Sequence, residues 1–139
     1  MKPLEWLPSF EIGVPAIDDD HKDMVALVNA AHSAFRDNRY DLVRQRIIDL
    51  LESAAGHFER EEAFLRAHGF PDTDQHAAYH DGLLRQAERM KQVCERLSTP
   101  AEIDRCYSDM VRLLIDDIVT GDMSFKSWLE EKSLSRARR

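Results

Sequence analysis

Four stretches of this sequence repeat apolar residues at three- and four-residue steps, and each stripe carries ionisable side chains. His21 shares the first stripe with Met24, Val25, Val28, Ala31 and Phe35, and His57 and Glu61 share the second with Ile47, Leu51, Ala54, Phe58 and Leu65. His76 and His80 open the third, which continues through Leu83, Ala87, Met90, Cys94 and Leu97. The fourth holds Ile103, Cys106, Met110, Leu113, Leu114 and Ile118, with Asp117 on it and Asp122 just beyond. The period predicts amphipathic helices. A buried ionisable group without a partner costs several kcal/mol, so a set of inward-facing ones requires something that satisfies them together.

The breaks between stripes set the organisation. Residues 1–17 (MKPLEWLPSFEIGVPAI) hold three prolines and the aromatics Trp6 and Phe10 without a sustained period, which predicts an extended arm packed on the body through its aromatics. Helix A is expected from Asp18 to about Asp37–Asn38, and helix B up to the His68–Gly69–Phe70–Pro71 break. Helix C follows Asp72 and Thr73, both able to cap. Thr99–Pro100–Ala101–Glu102 places a hydroxyl at the N-cap, proline at the first helical position and a carboxylate three residues after the cap, so helix D starts there and ends near Gly121. A short terminal helix is expected over 125–134, around Trp128. Short loops between such helices predict an all-α fold, an antiparallel up-down-up-down four-helix bundle with an extended N-terminal arm and a short C-terminal helix. One domain spans 1–139, divided into arm (1–17), bundle (18–122) and C-terminal helix with tail (123–139).

Composition narrows the partners. The chain has 139 residues, enough for one core, and Lys plus Arg 19 against Asp plus Glu 26 gives a net charge of −7. That balance repels a polyanion, so nucleic acid is excluded as a partner. No apolar run reaches the ~18 residues a membrane span needs, and the start lacks a signal-peptide core, which predicts a soluble cytoplasmic protein without a membrane partner. Cys94 and Cys106 lack any Cys-x-x-Cys spacing and fall at core-like positions, so reduced buried thiols are expected.

Spacing and axial position identify the partner of the polar residues as metal. His57/Glu61 and His76/His80 are i,i+4 pairs, whose side chains emerge one above the other on a helix face, so each can chelate an ion. His21 begins helix A, the second pair lies near the end of B, the third begins C, and Asp117 and Asp122 close D. In an up-down-up-down bundle all of these fall at one end, in a slab about 10 Å deep at ~1.5 Å rise per residue. His32 and His68 fall elsewhere, as a polar edge residue and a helix C-terminal residue favourable to the dipole. Imidazoles mixed with carboxylates suit iron, with manganese possible, whereas structural zinc asks for four ligands and usually thiolates. Seven ligands are too many for one ion and fit two ions about 3–4 Å apart, with Glu61 and one aspartate bridging.

The ordered set of residues resembles the hemerythrin family, in its single-domain bacterial type. Carrying the resemblance are Trp6, Phe10, Ile12–Gly13, Ile17–Asp18 before His21, Asn29, His57–Phe58–x–x–Glu61–Glu62, Gly69–Phe70–Pro71, His76–x–x–x–His80 and Ile118–x–x–x–Asp122. The resemblance implies two iron ions in an oxo- or hydroxo-bridged di-iron centre that binds O2 reversibly. One iron would be held by His21 and His57 and keep the open position. The other would be held by His76, His80 and a helix D residue, with Glu61 and Asp122 bridging. Phe58, Leu113, Leu114 and Ile118 would line the O2 pocket, and Leu113 stands where the family often has tryptophan. The family also has a histidine five residues before the bridging aspartate, and here that position is Asp117. Asp117 could ligate after a small shift, ligate through water or leave the position to solvent; if it binds, that iron has two histidines and a carboxylate, a set associated with oxygen activation, and the added negative charge favours Fe(III) over Fe(II).

These features predict an oxygen-binding protein, for O2 storage, transport or scavenging, rather than an enzyme, as a monomer or weak homo-oligomer. The alternatives are a di-iron redox enzyme or peroxide- or nitric-oxide-handling protein, favoured by Asp117, and an O2 or redox sensor acting through a separate partner.

Overall fold

Val14 and Pro15 start the first helix three residues earlier than its apolar period suggests. Proline at the first helical position lacks an N–H that would have gone unpaired there, and its fixed φ is already helical. Asp18, one turn in, receives the Ile12 and Gly13 amides on Oδ1 and Oδ2 at 2.7 and 3.1 Å, so the chain is clamped as it enters the helix. In this computed structural model, which describes Leu4 and residues 11–116 and 126–132, the helices are α1 (Pro15–Arg36), α2 (Tyr40–Ala67), α3 (Thr73–Cys94) and α4 (Pro100–Asp116). A further helical stretch covers 126–132. Trp6, Phe10, Asp117, Ile118, Asp122 and the expected end of helix D near Gly121 lie outside the described residues.

The first two helices stop in the same way. Asn38 and Gly69 take positive φ, 60° and 74°, and the amides after them reach back to Ala34 and Leu65 carbonyls at 2.9 Å. This left-handed closure reuses the last carbonyls and turns the chain sharply into the next helix. At α4 the Thr99 hydroxyl accepts the Glu102 amide at 3.4 Å, matching the capping pattern in the sequence. At α3 the outcome differs: Asp72 is the N-cap residue but makes no side-chain cap, and the Thr73 hydroxyl donates backwards to the Phe70 carbonyl at 2.8 Å.

Successive helices pack on one another, α1 on α2, α2 on α3 and α3 on α4, around a core that includes Met24, Val28, Ile47, Leu50, Ala54, Ala87, Tyr107 and Met110. This is the all-α, four-helix bundle. A second, smaller cluster of Ile12, Ile17 and Leu65, with Phe70 and Leu129 packed against it, closes the end where the arm enters. Trp128 meets Phe70 edge-on at 5.3 Å and Lys132 Nζ donates to the His68 carbonyl at 2.8 Å, which fastens the 126–132 helix over the α2–α3 turn. Among the described residues no helix is long and apolar enough to cross a membrane.

The cysteine expectation is corrected. Cys94 and Cys106 form a disulfide, with Cα atoms 5.6 Å apart. Their separation of 12 in sequence gave no pairing signal, but the α3–α4 hairpin sets the last residue of α3 against the second turn of α4, within bridging range.

Candidate metal centre

The polar residues of the first three stripes meet at one end of the bundle. His21 from α1, His57 and Glu61 from α2, and His80 from α3 are 0–1% exposed, and His76 is 9% exposed. The i,i+4 spacing on α2 and on α3 is what lets each helix present two donors to one point. Glu61 stands between two groups. Its Oε2 is 2.9 Å from His57 Nε2 and 4.0 Å from His21 Nε2. Its Oε1 is 2.6 Å from His76 Nε2 and 3.5 Å from His80 Nε2. His21 and His57 bring their Nε2 atoms to 3.0 Å of each other.

Each group, His21/His57/Glu61 and Glu61/His76/His80, offers donor atoms that all lie within 4.8 Å of one another. The donor set fits a metal on chemical grounds: buried imidazole nitrogens converge on a shared carboxylate, the mixture that suits iron, manganese or zinc. The fourth stripe's contribution, Asp117 and Asp122, lies outside the described residues.

A carboxylate backs His57. Asp20 Oδ2 lies 3.3 Å from His57 Nδ1, while Arg60 donates from Nε to Oδ2 at 2.8 Å and from Nη2 to Oδ1 at 2.9 Å. Burial acts to raise the Asp20 carboxyl, but hydrogen bonds and charge from Arg60 and His57 outweigh it and hold the group below its ordinary value. The reciprocal bond from Asp20 raises Arg60 above its own. An ionised carboxylate only accepts, so His57 Nδ1 carries a proton toward Asp20, and its Nε2 is turned toward Glu61. Glu62 Oε1 stands 3.6 Å from His80 Nδ1, a longer contact of the same type.

Of the apolar residues expected around the site, Phe58 is buried and stacks on His80, with ring centroids 3.8 Å apart. Leu114 belongs to the main core. Leu113 is half-buried and lines a shallow groove with Gln86, Met90, Asp109 and Arg112. His32 and His68 stand apart from both donor groups. His68 caps α2, donating from Nδ1 to the Phe64 carbonyl at 2.9 Å and stacking on the Phe64 ring.

Asp20, Arg60 and Gly56 were not singled out from sequence. Asp20 and Arg60 each directly precede a donor, His21 and Glu61, and read there as ordinary surface charges.

The fold and the site together define a helical bundle with a buried histidine and carboxylate cluster at one end, a cation-binding architecture. Residues 12–120 match the family model described as the Hemerythrin HHE cation binding domain, and the chain belongs to the hemerythrin family. It is 25% identical over 137 residues to a bacteriohemerythrin of Clostridium acetobutylicum, covering 96% of this chain and 95% of that protein. It is 28% identical over 127 residues to a hemerythrin-like protein of Naegleria gruberi, covering 91% and 94% of the two chains. Over 89 residues it is 30% identical to hemerythrin subunit 1 of Golfingia vulgaris, covering 64% and 72%.

Proposed function

We propose that this chain is a di-iron oxygen-binding protein, for O2 storage, transport or scavenging. The observation that supports it most is the division of Glu61, one oxygen toward His21 and His57 and the other toward His76 and His80. A carboxylate shared by two imidazole pairs holds two ions, not one. In this reading His21 and His57 would hold one ion and leave it a position for O2, and His76 and His80 would hold the second with Asp117. Asp122 would supply a second shared carboxylate. Iron bound there supplies the electrons and the coordination position that O2 requires. The protein's own contribution is to keep the donors buried, fix the His57 tautomer through Asp20, and wall the cluster with Phe58.

Asp117 favours a second reading, a redox enzyme that handles peroxide or nitric oxide. An aspartate in place of an imidazole adds negative charge beside one ion and stabilises its oxidised state. The two readings separate on one experiment. The iron-loaded, reduced protein is exposed to air and then to argon, and its optical spectrum is followed through several cycles. A carrier returns to the starting spectrum each time. A protein that oxidises in the first cycle and turns over peroxide under reductant is the enzyme.

A further inference from the structure

Gly56 is an interior residue of α2, where glycine costs about 1 kcal/mol relative to alanine. Its surroundings give the reason. A Cβ built on Gly56 would stand 3.5 Å from Arg60 Nη2, an ordinary contact, but 3.1 Å from Nη1, tight enough that the guanidinium would have to give by a few tenths of an ångström. Arg60 therefore lies back over the preceding turn of its own helix, across the space Gly56 leaves open. From there its fork spans both oxygens of Asp20, on α1, at 2.8 and 2.9 Å. Asp20 Oδ2, the oxygen taken by Arg60 Nε, is also the one that faces His57 Nδ1 at 3.3 Å. A bidentate arginine both orients a carboxylate and draws electron density from it.

We propose that Gly56, Arg60 and Asp20 form a tuning relay for the metal group that contains His57, in which Arg60 weakens the pull of Asp20 on the His57 Nδ1 proton. A carboxylate that pulls strongly on that proton makes the imidazole a more basic ligand, and a more basic ligand favours the oxidised metal. Arg60 competes for the same oxygen and holds this effect back. Asp20 and Arg60 are thus positioning residues with opposite signs, and Gly56 is the clearance that lets Arg60 reach. The inference rests on the reading of His57 as a metal ligand.

Opposite signs make the relay testable with three variants of the full chain. In the iron-loaded protein, Asp20→Asn raises the midpoint potential, while Arg60→Gln and Gly56→Ala lower it. In the zinc-loaded protein, the His57 Nδ1–H proton resonance moves upfield in Asp20→Asn and further downfield in the other two. Asp20→Asn also loosens zinc, by roughly 10–100-fold in affinity, as loss of an outer carboxylate partner does elsewhere. Gly56→Ala is the strictest arm, because alanine strengthens the helix while displacing Arg60, so thermal stability rises as the site shifts. An Arg60→Gln potential equal to wild type, or displaced in the same direction as Asp20→Asn, overturns the inference. A Gly56→Ala protein that matches wild type on both readouts overturns it too. Wild-type protein that binds neither iron nor zinc refutes instead the reading on which the relay rests.

Discussion

Phe58 lies face to face with His80 in the buried interior, ring centroids 3.8 Å apart and planes 9° from parallel. The stack fixes the ring plane of His80 and so the direction in which Nε2 points toward Glu61, 3.5 Å away. Phe58→Ala should cost about 3–5 kcal/mol of stability, as large buried truncations do. Phe58→Leu should cost less and still release His80. Chemical denaturation and zinc titration of the leucine variant check this: a modest loss of stability with clearly weaker binding of one ion is expected.

Glu61 couples the two donor groups because both include it. Glu61→Gln should therefore weaken both ions together, by tenfold or more, roughly 1.4 kcal/mol each. His21→Ala removes a donor from one group only and should leave about one ion per chain. Metal analysis after gel filtration distinguishes the two patterns.

The bundle was legible in the sequence because burial and helical period coincide there. Residues such as Val28, Ile47, Ala54 and Ala87 recur at helical spacing and are fully buried. The three buried stripes of donors were legible for the same reason, since a histidine in phase with such residues must face inward. Asp20 and Arg60 were not, because they precede His21 and Glu61 by one position and their partnership spans two helices, 40 residues apart. The Cys94–Cys106 bridge was missed for a related reason: its proximity is made by the hairpin, not by any local motif.

That bridge closes the α3–α4 hairpin at the end opposite the histidines. Cys94 is fourteen residues beyond His80 on α3, roughly 20 Å at ~1.5 Å per residue. Cys94→Ser with Cys106→Ser should lower stability by about 2–3 kcal/mol, the effect of releasing a loop of this size, and leave zinc affinity unchanged. Denaturant midpoints alongside zinc titration check both halves of the statement.

Tyr107 is 1% exposed in the core, and burial pushes its phenol above its ordinary value, with the Arg44 charge acting against that rise. The folded state thus favours the neutral phenol more than the unfolded chain does. Its contribution is fully present below the unfolded value near pH 10 and is lost as pH rises through the folded one. Tyr107→Phe should flatten the loss of stability that sets in above about pH 10. Denaturant midpoints measured across that range for both proteins provide the check.

In the proposed reading Asp117 takes the place of a family histidine and puts a carboxylate beside one iron. Asp117→His restores the imidazole and should slow oxidation of the reduced protein in air by about tenfold, ~1.4 kcal/mol on the barrier. Stopped-flow absorbance against wild type measures it.

In the proposed reading, four buried histidines and the Glu61 they share hold two metal ions, with Asp117 and Asp122 completing the set. Iron per chain is to be measured after anaerobic reconstitution and removal of loose metal. Two irons per chain are expected in wild type; one or none overturns the reading.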